Sequence, residues 1–377
     1  MREEWFPNHV IELSTRQNYT YCLERNVLPF FGEFRMVDVM PGDVREWVTG
    51  LQAAGVKPPT IRYAMTVLSA VFTTALNDQI TFLHPCMGVK TPAVATKRRR
   101  IITPEQFADL LAALPSRELQ LLVETDIETG LRWGELIELR KGDIDWDTRV
   151  LTVSRVAGEL ASRFTPDGQR FFVKAYPKDT EWRALTLSTH IARQLEAHAA
   201  PLGDDDLLFR APHPVGAARR RRPETLPDPV TLGVTAPNEL GRCYLHGTLS
   251  AYSAGRCRCQ YCKDAVAAYR AQRRADGKDQ PRRPRTLDTD GHIPRAWFRQ
   301  QVWTPALRAA GVGFHVRFHD LRHAHASWLL AGGADIQIVK ERMGHSSITT
   351  TQKYLHTLPN ADQAAVTVLD AMRRGAV

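Results

Sequence analysis

Residues 319–323 read His319-Asp320-Leu321-Arg322-His323, and 21 residues beyond the last of them begins Gly344-His345-Ser346-Ser347-Ile348-Thr349-Thr350-Thr351-Gln352-Lys353-Tyr354. This pair of boxes gathers an arginine, several imidazoles and a phenol into one short C-terminal stretch. Apolar positions Leu321, Ala324, Trp328 and Leu329 predict a helix from Asp320 to about Leu330. Such a helix sets His319 and Arg322 on one face of its first turn, where free backbone N–H groups favour an anion. Ser347 is placed to cap a second helix, running to about Thr357 and carrying Tyr354. Much earlier, Thr129-Gly130-Leu131-Arg132-Trp133-Gly134-Glu135-Leu136 supplies another arginine at a helix-to-helix turn, with Glu135 three residues on to brace it. Alone, a His-x-x-Arg is more often a solvated helix start, and a lone tyrosine a half-buried packing residue. The order and spacing of all three boxes carry the argument.

Metal-free cleavage of a phosphodiester needs a nucleophile that can leave again, cations on the non-bridging oxygens, and proton transfer at both ends. A phenol, with a pKa of roughly 10, is a tolerable leaving group in the reverse step. Arginine stays charged and its planar fork matches phosphate. Taken together, the boxes resemble the active site of the tyrosine recombinases, the phage integrase family. The resemblance runs from about Ser14 to about His356, apart from one large insertion.

That resemblance implies roles. Tyr354 attacks and forms a 3′-phosphotyrosyl bond, Arg132 and Arg322 clamp the phosphate, and Glu135 supports Arg132. His319 assists as general base, and His345 donates to the phosphate. A lysine of the family sits in a β-hairpin and protonates the leaving 5′ oxygen. Here Val150-Leu151-Thr152-Val153 reads as a strand, and residues 171–187 read as two strands about a turn. Lys178 fits the lysine position and Lys174 is the second choice. The family's usual second lysine is missing, with Thr180-Glu181-Trp182-Arg183 in its place. No catalytic metal and no ATP are implied.

The expected fold is mainly α with a small antiparallel β-sheet. Residues 1–96 read as an all-helical module resembling the family's SAM-like core-binding domain. Ser14-Thr15-Arg16-Gln17 resembles a capping box, and Pro41 and Pro58 open further helices, the second to about Asn77. Residues 97–102 form a basic linker in which Lys97, Arg98, Arg99 and Arg100 are expected to touch DNA backbone. Residues 103–377 are the catalytic domain, opening on the capping box Thr103-Pro104-Glu105-Gln106. Many phage integrases carry an N-terminal arm-binding domain, and none is visible before this module.

Residues 212–290 are an insertion between the short strand Leu207-Leu208-Phe209 and the next family element at Pro294-Arg295-Ala296-Trp297-Phe298. It holds four of the six cysteines, written Cys243-x-x-His246, a spacer, then Cys257-x-Cys259-x-x-Cys262. Ligand pairs two residues apart suit tetrahedral zinc, and the predicted set is Cys243, His246, Cys259 and Cys262 with Cys257 as substitute. A disulfide knot is the rival reading, and a reducing compartment argues against it. The zinc would be structural. The Cys257–Cys262 run also resembles a small His-Cys motif of actinobacterial and actinophage proteins.

A formal charge of +9 and a pI near 9.4 favour a polyanionic partner. No apolar stretch approaches the roughly 18 residues of a membrane span. The expectation is therefore a cytoplasmic, nucleoid-associated recombinase, a tetramer on two double-stranded DNA attachment sites, assisted by a directionality factor or a DNA-bending protein. It would integrate or excise a phage or other mobile element. The alternatives are a type IB topoisomerase-like DNA-relaxing enzyme and a catalytically silent, integrase-derived DNA-binding protein.

Overall fold

The computed structural model describes residues 9–95, 100–165, 167–175, 182–212, 229–278 and 289–354. The chain forms two compact units, one of Met1–Ala211 with Asp288–Val377, the other of Pro212–Leu287.

The described part of the first unit opens on α1 (Leu13–Cys22), extended by a π-turn at Leu23–Val27 and a last helical turn at Leu28–Phe31, followed by α2 (Pro41–Ala53) and α3 (Pro58–Asn77). Proline opens α2 and α3, where its missing N–H costs nothing. Their apolar stripes close on a core of Val27, Val44, Trp47, Ile61, Leu68 and Phe72. The Trp47 indole within it donates to Asn26 O at 2.7 Å. The expected capping box at Ser14 does not form. Glu12 is the N-cap of α1, and the Gln17 amide oxygen instead accepts from Ala161 N–H at 2.8 Å. A partner 144 residues away wins that side chain.

Next come α4 (Pro104–Ala112), α5 (Arg117–Thr129) and the single turn α6 (Trp133–Leu136). The box at Thr103 forms as expected, with Thr103 Oγ1 accepting from Gln106 N–H and Gln106 Oε1 from Thr103 N–H. Among the described residues five short strands follow: β1 (Ile144–Asp145), β2 (Val150–Val153), β3 (Val156–Glu159), β4 (Phe171–Lys174) and β5 (Arg183–Thr186). They make an antiparallel sheet ordered β1-β2-β5 and a separate β3-β4 pair. The two strands read between residues 171 and 187 therefore exist but do not pair with each other. β5 pairs with β2 (Leu151↔Leu185), and β4 pairs with β3, where the Phe172 ring lies across Gly158. An aromatic ring over a cross-strand glycine, with Arg170 on Glu159 beside it, satisfies β4 locally.

After α7 (Thr189–Ala199), Leu207 and Leu208 bond to Arg140 and Leu139 as an isolated bridge rather than a full strand. Ala211 N–H donates to Gly291 O at 2.8 Å, so the chain leaves and re-enters this unit at one point. In the second unit, described by itself, α8 (Leu249–Ser253) and the basic helix α9 (Gln260–Ala275) pack around Ala251 and Cys262.

Back in the first unit, a turn at Arg295–Trp297 passes through a π-turn into α10 (Thr304–Ala309). Then come α11 (Asp320–Ala331), α12 (Ile336–Met343) and α13 (Ile348–Gln352). Trp133, Phe298, Trp303 and Phe318 interlock edge to face and stack beneath α6. None of the described helices is long and apolar enough to cross a membrane.

Candidate active site

α5 ends at Gly130 with φ 63°, a left-handed geometry that suits glycine. A Cβ there would sit 2.6 Å from Cδ2 of His325 on α11, so the turn also needs an absent side chain. The turn delivers Arg132 to the N-cap of α6. Glu135 takes the Arg132 backbone N–H and Nη1–H, each at 2.9 Å, while Nη2–H donates to Gly344 O at 3.0 Å. One arginine thus joins two boxes 212 residues apart.

Arg183 on β5 completes the acid's environment. It donates to Glu135 through Nη2 at 2.7 Å and Nη1 at 3.2 Å, and through Nε to Arg342 O at 3.1 Å. Burial raises the Glu135 pKa, but the hydrogen bond and charge of Arg183, with Arg132, outweigh it and hold the carboxyl at about 2. Arg183 stands where the family's second lysine was missed. The sequence marked the departure but not this role, because the contact spans 48 residues.

Arg322 is 2% exposed, on the first turn of α11. Its Nη1–H donates to Gly130 O and its Nη2–H to Met343 O. Burial lowers its pKa to about 10, helped by Arg132, so it stays cationic at neutral pH. Asp126, one turn before Gly130, is fully buried, and among the described residues neither carboxylate oxygen has a hydrogen-bond partner. Burial pushes its pKa well up, against the pull of Arg322. His325 is held neutral: Nδ1–H donates to Ile127 O at 2.7 Å, and Nε2 accepts from Arg342 Nε–H at 3.2 Å. Burial, then Arg342, lower its pKa to about 3.

Ser347 caps α13, accepting from Thr349 N–H, and Tyr354 follows the helix. The Tyr354 ring is 7% exposed, against Ala326, Leu330, Val339 and Met343, with His345 stacked at 6.1 Å between centroids. His345 Nδ1 lies 2.9 Å from Thr351 Oγ1. The Tyr354 hydroxyl lies 2.8 Å from Nδ1 of His323, a residue to which the sequence reading gave no role. The exposed His319 caps α11, its ring 5.1 Å from that of His323. Arg132 and Arg322 thus meet the backbone just before His345, the His345 and His323 rings lie beside Tyr354, and His319 lies beside His323. Lys178 lies outside the described residues, as do Lys97, Arg98 and Arg99. Lys174 pairs with Glu12, and Arg100 stacks its guanidinium 4.4 Å over Phe314.

The second unit holds a different cluster. His246, Cys257, Cys259 and Cys262 present donor atoms within 4.8 Å of one another. Cys257, the expected substitute, belongs to this set, and the exposed Cys243 does not. Gly247 N–H donates to Cys262 Sγ at 3.4 Å. All six cysteines are free thiols.

Known proteins supply the remaining observation. Residues 298–361 match the phage integrase family and residues 1–52 the phage integrase N-terminal SAM-like domain. In these two segments the chain is similar to phage integrases. It is 24% identical to the ICEBs1 integrase of Bacillus subtilis over 94% of this chain and 77% of that protein. It is 31% identical to the integrase of Mycobacterium phage L5 over 52% of this chain and 50% of that one. Its fold is similar to that of the Tn1549 transposon integrase solved with circular-intermediate DNA (TM-score 0.58, 17% identity, 98% of this chain and 97% of that one). It is also similar to a lambda integrase dimer on a core site (TM-score 0.56, 15% identity, 94% and 92%).

Proposed function

We propose that this chain is a site-specific recombinase that cuts and rejoins DNA through a phosphotyrosyl ester on Tyr354. The observation that carries the reading is the lock between boxes. Arg132 and Arg322 donate to the backbone carbonyls of Gly344 and Met343, immediately before the segment that carries His345 and Tyr354. The phosphate then meets both cations and the phenol together. Arg132 and Arg322 stabilise the charge that builds on the non-bridging oxygens. Glu135 keeps Arg132 aimed, His345 donates to the phosphate, and Lys178 protonates the departing 5′ oxygen. His319, exposed beside the site, assists proton transfer. Strand energy is kept in the ester, so a 5′ hydroxyl from a second duplex completes exchange.

Lambda integrase has been solved as a dimer on a core site and as a tetramer on a Holliday junction. By analogy this chain works as a tetramer on two attachment sites, with an accessory factor setting direction. Residues 1–96 and 103–377 serve as the two halves of the DNA clamp, and the basic run at 97–100 lies on backbone phosphate between them.

In the second unit we assign structural zinc to His246, Cys257, Cys259 and Cys262. Metal–ligand distances of about 2.3 Å for sulfur and about 2.0 Å for nitrogen put tetrahedral donors roughly 3.5–3.8 Å apart. The observed separations are 3.4 Å for Cys257–His246, Cys259–His246 and Cys259–Cys262, and 3.8 Å for Cys262–His246. These four of the six edges fit one ion, and His246 faces it through Nδ1. When bound, the metal would staple the loop to the start of α9, with no part in the chemistry.

A nicked suicide substrate carrying a candidate attachment site tests the main reading. The wild-type chain should form a covalent DNA adduct, and Tyr354→Phe should form none while still binding DNA. Relaxation of plasmid lacking any such site would favour a topoisomerase instead. Binding without an adduct would favour a silent DNA-binding protein.

A further inference from the structure

We propose that His323 is the base that takes the proton from Tyr354, with Asp320 steadying the charge that results. The inference rests on the reading of Tyr354 as nucleophile. The sequence gives that task to His319, the first residue of its box. The geometry points one turn further. His323 Nδ1 lies 2.8 Å from the Tyr354 hydroxyl, and both residues are buried, 8% and 7% exposed. Its other nitrogen, Nε2, faces Asp320 Oδ1 at 4.0 Å.

Asp320 is held by Arg317, which donates through Nη2 at 2.7 Å, Nε at 3.1 Å and its backbone N–H at 2.8 Å. At 4.0 Å the carboxylate acts on the imidazole by charge rather than by a direct hydrogen bond. That charge favours the tautomer with the proton on Nε2, leaving Nδ1 as acceptor for the phenolic O–H. Carboxylate, imidazole and hydroxyl stand in the order of other activated nucleophiles. They occupy positions 320, 323 and 354, so the first two share one helix face by their spacing of three.

The step balances. The Tyr354 Oη–P bond forms, the P–O5′ bond breaks, and the phenolic proton moves to His323 Nδ1. The 5′ oxygen takes its proton from a separate acid. On rejoining, His323 returns the proton to the phenolate as it leaves. The ionisable groups around the pair are Asp320 and His319 on the same helix, Arg322 beside them, and His345 stacked on the Tyr354 ring.

The test is single-turnover cleavage of a suicide substrate with the 5′ bridging atom either oxygen or sulfur, across pH. A thiolate leaves without a proton, so sulfur rescues the loss of an acid but not of a base. His323→Ala should slow cleavage about 10²-fold or more on both substrates. His323→Asn can hold the hydroxyl by a hydrogen bond but takes no proton. It should bind DNA normally, stay slow on both substrates, and lose the acidic limb of the rate profile, its rate climbing instead with hydroxide. Asp320→Asn should shift that limb to lower pH, because the imidazolium loses its carboxylate. A wild-type rate in His323→Asn, or rescue of either His323 variant by sulfur, would overturn the proposal. Adduct formation by Tyr354→Phe would instead overturn the reading beneath it.

Discussion

The candidate catalytic centre and the cysteine cluster are assembled in opposite ways. The centre draws on Asp126, Arg132, Arg183, Arg322 and Tyr354, spread over most of the first unit, and the contacts that join its boxes span 21 to 212 residues. The cluster draws its four donors from residues 246–262. Charge divides them too. Residues 212–287 contain 15 Lys or Arg against 6 Asp or Glu, which is the whole of the chain's formal +9, so the rest of the chain balances to zero. Clustered arginines in the first unit are matched by buried acids. A centre held by long-range ion pairs depends on the fold, whereas a cluster closed over 17 residues needs only its own turn and a metal.

Breaking the Glu135 knot should have the largest effect. Glu135→Ala leaves Arg183 and Arg132 without their shared carboxylate, and loss of one partner of a buried pair costs roughly 3–5 kcal/mol. Thermal unfolding should show a steep fall and cleavage should vanish, while the cluster keeps its metal. The converse experiment is chelation, or Cys262→Ser. It should unfold the second unit, seen as new proteolytic cuts confined to 229–278, and leave the melting of the first unit in place. Cuts in α11 or α12 after chelation would refute the independence of the two regions.

Gly130→Ala sharpens the comparison next. A left-handed alanine costs about 1–2 kcal/mol, and the clash with His325 adds to it. Stability and cleavage should both drop, with metal content unchanged.

Lowering the pH breaks the comparison in another way. His325 has a folded pKa of about 3, below its unfolded value of roughly 6.5. The unfolded state therefore gains a proton that the folded state refuses, so stability is full above about pH 6.5 and falls as pH drops toward 3. Glu135, held at about 2, adds a further loss below roughly pH 4.5. Melting temperature of the first unit should begin to decline between pH 6.5 and 5, before ordinary carboxylates titrate. A flat profile there would contradict the neutral, buried His325.

The same contrast explains what was legible in the sequence. Helix starts at Pro41, Pro58 and Thr103, and the boxes around Arg132 and Arg322, are short-range patterns, and they read correctly as elements; the helix from Ser347 also starts as read but ends at Gln352, so Tyr354 stands in the turn after it rather than on it. The Cys/His cluster was legible as spacing, but the choice between Cys243 and Cys257 depends on a turn that spacing does not encode. Gln17, Arg183 and His323 find partners 144, 48 and 31 residues away, and no local pattern announces them. β4 and β5 likewise read as strands, yet their partners are chosen by Phe172 over Gly158 and by the alternation of β5 against β2.

Peptide mapping of the trapped covalent adduct tests convergence most directly. DNA should be attached to the peptide containing Tyr354, in amounts that collapse when either Arg132 or Arg322 is replaced by alanine. Attachment through any other residue, such as Tyr261 in the second unit, or an adduct at Tyr354 indifferent to both arginines, would contradict it.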